Sequence, residues 1–380
     1  MKKILFLETK KQHLEVLYPQ IILMKNSGYK IFIAINKDTS NIDLITSLRK
    51  DDKINFLIRD SKTPMLFYFW QLKKFIKRNK IDLINLNTLE GFEDNLLYLV
   101  FLSNFKTIRN VHNLENLLDK NKYTGLKNIL MSYIVDKVNE KIDYNLVLNE
   151  SVLNTAKKNK IDDIDYFYPI FYKEFLDDNK CNLQFKDDKI KIGVQGGVSF
   201  SRRNYMNLIS SLKKLNYRYK DKLNIYIIGN INSVDGNKLK QKIKEYKLEN
   251  QFNYFNEYIS YKKYFNLLNN MDYLLPLIDR NVPNFKKYNK SKITSTQLMS
   301  LAFSLPMINS DDFEMNSKFK NLSINYHGLK LEEGLKKAIN INKKEYNNLL
   351  KKFDLIEEIK FEYQKFKYQS IVNKVMKEEV

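Results

Sequence analysis

The residues best suited to chemistry lie in one stretch at the middle of the chain, KIGVQGGVSFSRRNY. Gly193, Gly196 and Gly197 fall within five residues in a chain with only ten glycines, and two of its eight arginines, Arg202 and Arg203, follow. Where a strand, a glycine turn and a helix follow one another, backbone N–H groups and the positive end of the helix dipole converge on one point. Glycine there lets a phosphate approach the backbone closely. Adjacent guanidinium groups add charge-assisted, bidentate donors. The stretch therefore predicts a diphosphate site.

This loop differs from the two common nucleotide-binding motifs. It matches neither G-x-G-x-x-G with an acidic residue about twenty positions on, nor G-x-x-x-x-G-K-[ST]. One alternative is that the loop is only a tight turn and that its arginines are solvated. The position of the loop, at the start of a second Rossmann-like half, favours phosphate binding, because ligands bind at such strand ends.

A second group of donors precedes a predicted helix in SKITSTQLMSLAFS. Lys292, Thr294, Ser295 and Thr296 lie at its N-terminus, where hydroxyls and an ammonium group can bind a distal phosphate or sugar hydroxyls. The alternative is a simple helix cap.

Candidate acids and bases come from the first half. His112, in NVHNLEN, follows a predicted strand, so we expect it at the carboxyl end of a sheet, where ligand chemistry concentrates. Glu8 ends the first strand and His13 follows in the same loop. The structural alternative for His112 is a loop histidine hydrogen-bonded to the backbone. For Glu8 it is a solvated loop acid, and for His13 a histidine on a helix surface.

No metal or cofactor site is predicted. The sequence has no Cys/His cluster suited to zinc and no G-x-S-x-G nucleophile motif. A D-x-D occurs in the DDID run, Asp162 to Asp165, but there a solvated charge run in a linker is favoured.

Strand-like and helix-like periods alternate on both sides of one boundary. The strands KILFLE, YKIFIAIN, INFLIRD, IDLINLN, KTIRNVHN and YNLVLN come first, and KIKIGV, NIYIIG, QFNYF, YLLPLID and PMINS come later. Alternation with helices predicts two α/β domains with doubly wound parallel sheets. Periodicity is lost between about Asn149 and Lys189. We predict domains at 1–170 and 171–355, and a helix at 356–380 that returns to the first.

Composition bounds the function. A length of 380 residues suits two domains, and the net charge of +21 comes mostly from scattered lysine, so no nucleic-acid partner is expected. The single cysteine, Cys181, excludes an internal disulfide framework. The start MKKILFLETKKQHLE lacks a signal-peptide pattern, and no run is apolar enough to span a membrane. A cytoplasmic protein is expected.

Two Rossmann-like halves, a Gly-Gly loop opening the second and a returning terminal helix resemble the GT-B glycosyltransferases over nearly the whole chain. The resemblance implies two domains facing a cleft that binds a nucleotide-sugar donor. In retaining, family-4-like members an Arg-Lys pair after the glycine turn grips the donor diphosphate. Gly196, Gly197, Arg202 and Arg203 resemble that arrangement, with Arg203 in the place of the lysine.

The family-4-like signature is incomplete. That family carries Glu-x7-Glu before an A-x-G-x-P turn. Here Ala302 and Pro306 match the turn and Ser304 replaces its glycine, whereas Ser291 and Met299 occupy the glutamate positions.

The resemblance implies further roles. His112 would lie beside the anomeric carbon as the catalytic residue, with Glu8 as a second catalytic candidate and His13 near the acceptor. Tyr258 and Ile259, after QFNYF, would hold the nucleotide base. An inverting reaction needs one of the acids or bases as general base, whereas in a retaining reaction the donor phosphate itself can take the proton.

The predicted function is metal-independent, hexosyltransferase-type transfer of a sugar from a nucleoside-diphosphate sugar to a saccharide or lipid-linked saccharide, as in capsule or surface-polysaccharide synthesis. The helices MLFYFWQLKKFIKRNK and LKNILMSYIVDKVNEK combine apolar faces with lysines. They fit peripheral contact with the inner membrane face, or ordinary core packing. Two rivals remain: a non-catalytic GT-B-like partner of an active transferase, which the missing glutamates favour, and a basic nucleic-acid-binding protein.

Overall fold

The chain forms two compact units. The computed structural model divides it into Met1–Phe175 with Glu358–Val380, and Leu176–Glu357. The structure describes residues 1–118, 125–176, 189–288, 290–313 and 315–376, so Cys181 lies outside the described residues.

The described part of the first unit contains a seven-stranded sheet in the order β3-β2-β1-β4-β5-β6-β7, with every pair parallel. Its strands are β1 Lys3–Glu8, β2 Lys30–Asn36, β3 Ile54–Arg59, β4 Leu83–Leu86, β5 Thr107–Val111, β6 Tyr144–Val147 and β7 Ile164–Tyr166. Its helices are α1 Leu14–Lys25, α2 Lys37–Ser40, α3 Asp43–Arg49, α4 Met65–Asn79, α5 Phe92–Phe101, α6 Glu115–Leu118, α7 Gly125–Lys141 and α8 Glu150–Lys158.

The second unit contains a six-stranded parallel sheet, in its described part, with the order β10-β9-β8-β11-β12-β13. Its strands are β8 Ile190–Gln195, β9 Leu223–Asn230, β10 Phe252–Phe255, β11 Tyr273–Leu274, β12 Met307–Ser310 and β13 Ser323–Tyr326. Its helices are α9 Tyr205–Lys214, α10 Tyr217–Lys220, α11 Val234–Glu245, α12 Tyr261–Asn269, α13 Ser295–Phe303, α14 Ser317–Lys320, α15 Leu331–Asn340 and α16 Lys343–Asp354.

Each sheet has a switch point, where the direction of strand addition reverses. In the first sheet it lies between β1 and β4, and in the second between β8 and β11. The crossover connections on the two sides of such a point leave on opposite faces of the sheet, which opens a crevice at the carboxyl ends of the strands. These two strand ends are therefore where ligand-binding residues are expected.

Burial explains why the strands form. Leu5, Phe6 and Leu7 are consecutive residues of β1 and all are buried. A parallel sheet is covered by helices on both faces, so its inner strands are continuous apolar runs. The inner sides of α4, α5 and α7 pack into one core on one face of the first sheet.

The last helix, α17 Phe361–Met376, belongs to the first unit, which confirms the predicted return of the terminal helix. It packs against α1. The Tyr29 hydroxyl donates to Asn373 Oδ1 at 2.7 Å, and the Tyr368 hydroxyl accepts from Asn85 Nδ2 at 2.8 Å.

Several predicted elements were wrong. The stretch from Asn149 to Lys189, predicted to lack periodicity, contains α8 and β7, and the end of the DDID run enters β7. The strand predicted for YLLPLID is limited to Tyr273–Leu274, while α2, α3 and β13 were not predicted. Among the described helices, none combines the length and apolarity needed to cross a membrane.

Candidate functional site

Glu8 lies at the switch point of the first sheet. Its side chain is buried, so the alternative of a solvated loop acid is wrong. Oε2 accepts hydrogen bonds from Asn87 Nδ2 at 2.5 Å and Thr88 Oγ1 at 2.7 Å, and Oε1 accepts from the Lys10 backbone N–H at 2.6 Å. Burial disfavours the carboxylate more than these donors favour it, which raises the pKa of Glu8 to about 7.

His112 and His13 stack face to face beside Glu8. Their ring centroids are 3.6 Å apart and their planes differ by 13°. His112 Nε2 lies 2.6 Å from the Asn87 carbonyl oxygen, and because a carbonyl only accepts, Nε2 carries the hydrogen. Nδ1 is then an acceptor, buried and without a partner among the described residues. Burial, with the nearby charge of His13, lowers the pKa of His112 to about 3 and keeps it neutral.

His13 is the more readily protonated member of the stacked pair. It has a left-handed backbone, with φ of 58°, immediately before α1. Burial disfavours its charged form, but the Glu15 carboxylate, 3.3 Å from Nδ1, outweighs burial and raises the pKa of His13. A proton taken up by the pair therefore binds His13 and not His112. The predicted alternative of a helix-surface histidine does not describe this half-buried residue.

A cavity of about 330 Å³ opens beside His112 within the first unit. Lys10, one of its lining residues, donates to the Glu90 carbonyl at 2.7 Å and pairs with Asp94 at 3.0 Å. Arg109 also lines the cavity, and burial lowers its pKa to about 10. The rest of the wall is mostly amides and residues of α7: Asn95, Asn110, Asn113, Asn116, Met131, Ser132, Val135 and Asp136. Such a lining suits a ligand rich in hydroxyl groups.

The glycine turn lies at the switch point of the second sheet, directly after β8. Gly196 has a φ of 88°, which favours glycine, and its N–H donates to the Ile228 carbonyl at 2.9 Å. A Cβ on Gly229 would lie 2.5 Å from the Gly196 carbonyl oxygen, so the neighbouring strand also requires glycine. A Cβ on Gly197 would meet open space. Backbone geometry therefore requires glycine at position 196, whereas nothing in the fold requires glycine at position 197.

Arg203 borders this turn. It is only 8% exposed, and a Cβ on Gly196 would lie 3.5 Å from its Nη2. Its Nε is buried and has no partner among the described residues. Arg202 is exposed. The alternative of two solvated arginines therefore holds for Arg202 and is wrong for Arg203. The adjacent Asn204 caps α9 and donates to both oxygens of buried Asp279 at 2.9 Å.

The N-terminus of α13 carries the second predicted donor group. The Thr294 hydroxyl accepts from the Thr296 N–H at 3.2 Å, as the predicted cap requires. Thr296 is buried and its Oγ1 has no partner among the described residues, whereas Ser295 is exposed. A buried hydroxyl without a partner beside a helix N-terminus is suited to an anionic or hydroxyl ligand.

Tyr288 lies between the two donor groups. Lys292 Nζ lies 4.8 Å from its ring centroid. Burial raises the pKa of Tyr288, and the nearby charges of Arg203 and Arg202 oppose that shift. Tyr288 therefore lies against Lys292 and within electrostatic range of both arginines.

Tyr258 and Ile259 lie between β10 and α12. The Tyr258 side chain is 70% exposed, whereas Ile259 is buried. The following helix reaches the glycine turn, because the Tyr264 hydroxyl donates to Gln195 Oε1 at 2.9 Å. The role of Tyr258 and Ile259 in binding a base stays a prediction.

Comparison with solved structures identifies the architecture. A glycosyltransferase from Rickettsia africae ESF-5 has a TM-score of 0.68 at 15% identity, over 100% of this chain and 99% of that one. Anabaena HepE, in complex with UDP and glucose, has a TM-score of 0.66 at 11% identity, over 98% and 100%. The UDP-GlcNAc 2-epimerase of Methanocaldococcus jannaschii has a TM-score of 0.58 at 15% identity, over 91% and 94%.

The chain has the GT-B fold.

Transferases and an epimerase share this fold, and identities this low establish the architecture alone. No protein-family model matches the chain, and no curated protein sequence matches it significantly.

Within the two GT-B units, the predicted site residues form two groups. Glu8, His13 and His112 meet at the switch point of the first sheet. The second group lies at the switch point of the second sheet. It consists of the glycine turn and Arg203, with Tyr288 and Lys292 nearby.

Sequence reasoning missed Asn87, Thr88, Asp279 and Tyr288. A signal existed for the first two, because Asn87 and Thr88 are polar residues that directly follow the apolar strand β4.

Proposed function

We propose that this GT-B protein transfers a sugar from a nucleoside-diphosphate sugar to a saccharide or lipid-linked saccharide. The observation that carries the proposal is the buried guanidinium of Arg203 beside the glycine turn after β8. A guanidinium with an unpartnered, buried Nε is costly unless a ligand uses it. A diphosphate supplies oxygens of the right charge and geometry.

In the proposed reaction, negative charge develops on the departing diphosphate. Arg203, the exposed Arg202 and Lys292 would stabilise this charge, and the N–H groups at the start of α13 and the hydroxyl of Thr296 would add hydrogen bonds. Donors held in place before the reaction stabilise the transition state without reorganisation. We propose that these groups suffice without a metal ion.

His112 and Glu8 belong to the acceptor side of the proposal. His112 Nδ1 is the acceptor atom without a partner in the described part of this group, so it would receive a hydrogen bond from a sugar hydroxyl. With a pKa of about 3, His112 would orient the acceptor hydroxyl and would not carry its proton away, in an inverting as in a retaining reaction. Both oxygens of Glu8 are engaged by Asn87, Thr88 and Lys10, so Glu8 would position this loop.

We place the reaction in capsule or surface-polysaccharide assembly, at the inner face of the membrane and with a hexose donor. Support comes from the polar cavity beside His112, which suits a glycan, and from apolar and basic helices around it. HepE, which shares the fold, is described in complex with UDP and glucose.

Ligand-induced thermal stabilisation tests the donor site. UDP, GDP, TDP, CDP and CMP are added at millimolar concentration to wild type, Arg203→Ala and the matched surface control Arg218→Ala. At a hundredfold excess over Kd, a ligand stabilises its protein by about 2.7 kcal/mol. We expect one diphosphate to raise the melting temperature of wild type and of Arg218→Ala, and the shift to be lost in Arg203→Ala.

The matching nucleotide sugar is then supplied with a mixture of saccharide acceptors, and products are identified by mass spectrometry. Sugar transfer supports the proposal, whereas an epimerised donor assigns the other activity found on this fold. If no nucleotide shifts either protein, the non-catalytic partner is favoured. Polynucleotide binding with a steep salt dependence favours the nucleic-acid alternative.

A further inference from the structure

Three helices of the first unit are apolar on their outer faces as well as on their inner ones. Half of the twenty large apolar side chains exposed in the described chain lie on α4, α5 and α7 or at the end of α6. We call them the apolar face: Leu66, Phe67, Trp70, Phe92, Leu96, Val100, Leu118, Ile129, Leu130 and Tyr133. Exposed apolar side chains on ordinary surfaces are scattered singly, and a concentration of this kind marks an interaction site.

The apolar face is continuous because its helices are neighbours. The rings of Phe69 in α4 and Phe101 in α5 are 6.4 Å apart, and α5 packs against α7. Their inner sides fill the core beneath, with Tyr68, Leu97 and Ile134 all buried. The outer side chains are therefore not needed to hold these helices to the sheet.

The apolar face borders the cavity beside His112. A helix that connects parallel strands starts at their carboxyl edge, so the first turns of α4, α5 and α7 lie at that edge. Trp70, Phe92 and Leu130 belong to these early turns. On α7, Met131 and Val135 line the cavity, whereas the adjacent Leu130 is 51% exposed. The cavity and the apolar face are thus parts of one surface.

Basic residues accompany the apolar ones. The second half of α4 exposes Lys74, Lys77 and Arg78, and this helix contains no acidic residue. Lys74 Nζ lies 3.4 Å from the ring centroid of Trp70, the only tryptophan of the sequence. Tryptophan, together with lysines that extend their apolar stems toward a charged layer, is typical of the membrane interface.

We propose that the apolar face docks on an anionic lipid bilayer. The aromatic and aliphatic side chains would enter the boundary between headgroups and acyl chains, and the α4 cations would meet anionic headgroups. A second copy of the chain is a poorer occupant, because a symmetric contact would bring lysines against lysines. The inference deepens the proposed function, on which its substrate claim rests: the acceptor glycan in the cavity would be carried by a lipid in that bilayer.

Vesicle co-sedimentation tests the docking. Large unilamellar vesicles of phosphatidylglycerol and phosphatidylcholine are compared with vesicles of phosphatidylcholine alone. The test variant is Phe67→Ser/Trp70→Ser/Tyr133→Ser, and the matched control is Tyr217→Ser/Val234→Ser, which removes exposed apolar residues of the second unit. We expect wild type and control to partition at least tenfold more strongly onto the anionic vesicles than the test variant does.

Charge is tested separately with Lys74→Glu/Lys77→Glu, in which we expect the preference for anionic over neutral vesicles to disappear. All substituted side chains are exposed, and circular dichroism checks that the variants fold. The inference is overturned if wild type does not sediment with anionic vesicles. It is also overturned if light scattering shows a dimer that the test variant makes monomeric while vesicle binding is unchanged. Vesicle binding needs no nucleotide, so failure of the donor test leaves this result interpretable.

Discussion

Glu8 is a buried carboxyl group whose pKa the fold raises to about 7. Its three hydrogen-bond donors, from Asn87, Thr88 and Lys10, favour the carboxylate, but burial prevails and its pKa is about 7. In an unfolded chain the same group titrates near 4.5. Between these two values the folded state holds a proton that the unfolded state has released, so stability falls as the pH rises from about 4.5 to 7.

We predict that Glu8→Gln, which mimics the protonated acid, removes this loss of stability. The shift corresponds to roughly 3 kcal/mol of unfolding free energy in wild type between the two ends of that pH range. Urea denaturation at pH 5 and pH 8 measures it. The variant should show a pH dependence smaller by about that amount, whereas Glu93→Gln, on the exposed side of α5, should behave as wild type. Equal pH dependence in wild type and Glu8→Gln would contradict the assignment.

His112 permits a second test at the level of one atom. Its neutral ring donates through Nε2 to the Asn87 carbonyl and leaves Nδ1 as an acceptor. Once a donor is known from the thermal-shift experiment, we expect His112→Ala to lower kcat by about 100-fold, because the acceptor hydroxyl loses the atom that orients it. The diphosphate-induced melting shift should be unchanged, because the proposed diphosphate site lies in the second unit. A lost shift together with lost activity would instead indicate that the variant is misfolded.

At the scale of elements, the turn between β8 and α9 contains glycines that the backbone geometry requires and one glycine that it does not require. Gly196 has a left-handed backbone, and Gly229 faces its carbonyl at a distance that excludes a Cβ. Gly197 has neither constraint. The fold therefore does not require glycine at position 197, whereas the proposed diphosphate site would, because the phosphate approaches the backbone closely there.

We predict that alanine separates these roles. Gly196→Ala should lose about 1–2 kcal/mol of stability through its strained backbone, and Gly229→Ala at least as much, since the backbone of the turn must move. Gly197→Ala should melt as wild type does, yet lose most of the stabilisation by the diphosphate. Thermal melting with and without the nucleotide measures both effects. If the nucleotide still raises the melting temperature of Gly197→Ala by the full amount, the phosphate does not bind at this turn.

The elements themselves show which features could be predicted from sequence. Long apolar strands such as β1, β2 and β9 were predicted correctly, because burial on both faces leaves an apolar run. The strands β7 and β13 were missed because each is only a few residues long and its composition is mixed. Glu8, His13 and His112 were each predicted as candidates from their strand ends. Their stacking was not, since it depends on the order β1-β4-β5 and on the left-handed backbone of His13.

At the scale of the whole molecule, a buried chain of amides joins the end of the sequence to the site in the first unit. Asn85 Nδ2 donates to the Tyr368 hydroxyl of α17, and Asn110 Nδ2 lies 3.4 Å from Asn85 Oδ1 and 3.0 Å from Asn87 Oδ1. Asn87 in turn binds Glu8. Groups buried in such a network are costly to leave unpaired. The terminal helix therefore completes a buried hydrogen-bond network in the first unit that it enters through Asn85, more than 280 positions earlier in the chain.

Tyr368→Phe tests this connection, because it removes one oxygen and almost no volume from a fully buried site. The Asn85 amide would lose its partner, and we expect the unfolding free energy to fall by about 1–3 kcal/mol. Tyr363→Phe, in the same helix but 38% exposed, is the matched control and should lie within about 0.5 kcal/mol of wild type. Urea denaturation compares the three proteins. Because the proposed diphosphate site lies in the other unit, its melting shift should survive in Tyr368→Phe. Equal stability of the two tyrosine variants would mean that the network does not support the first unit.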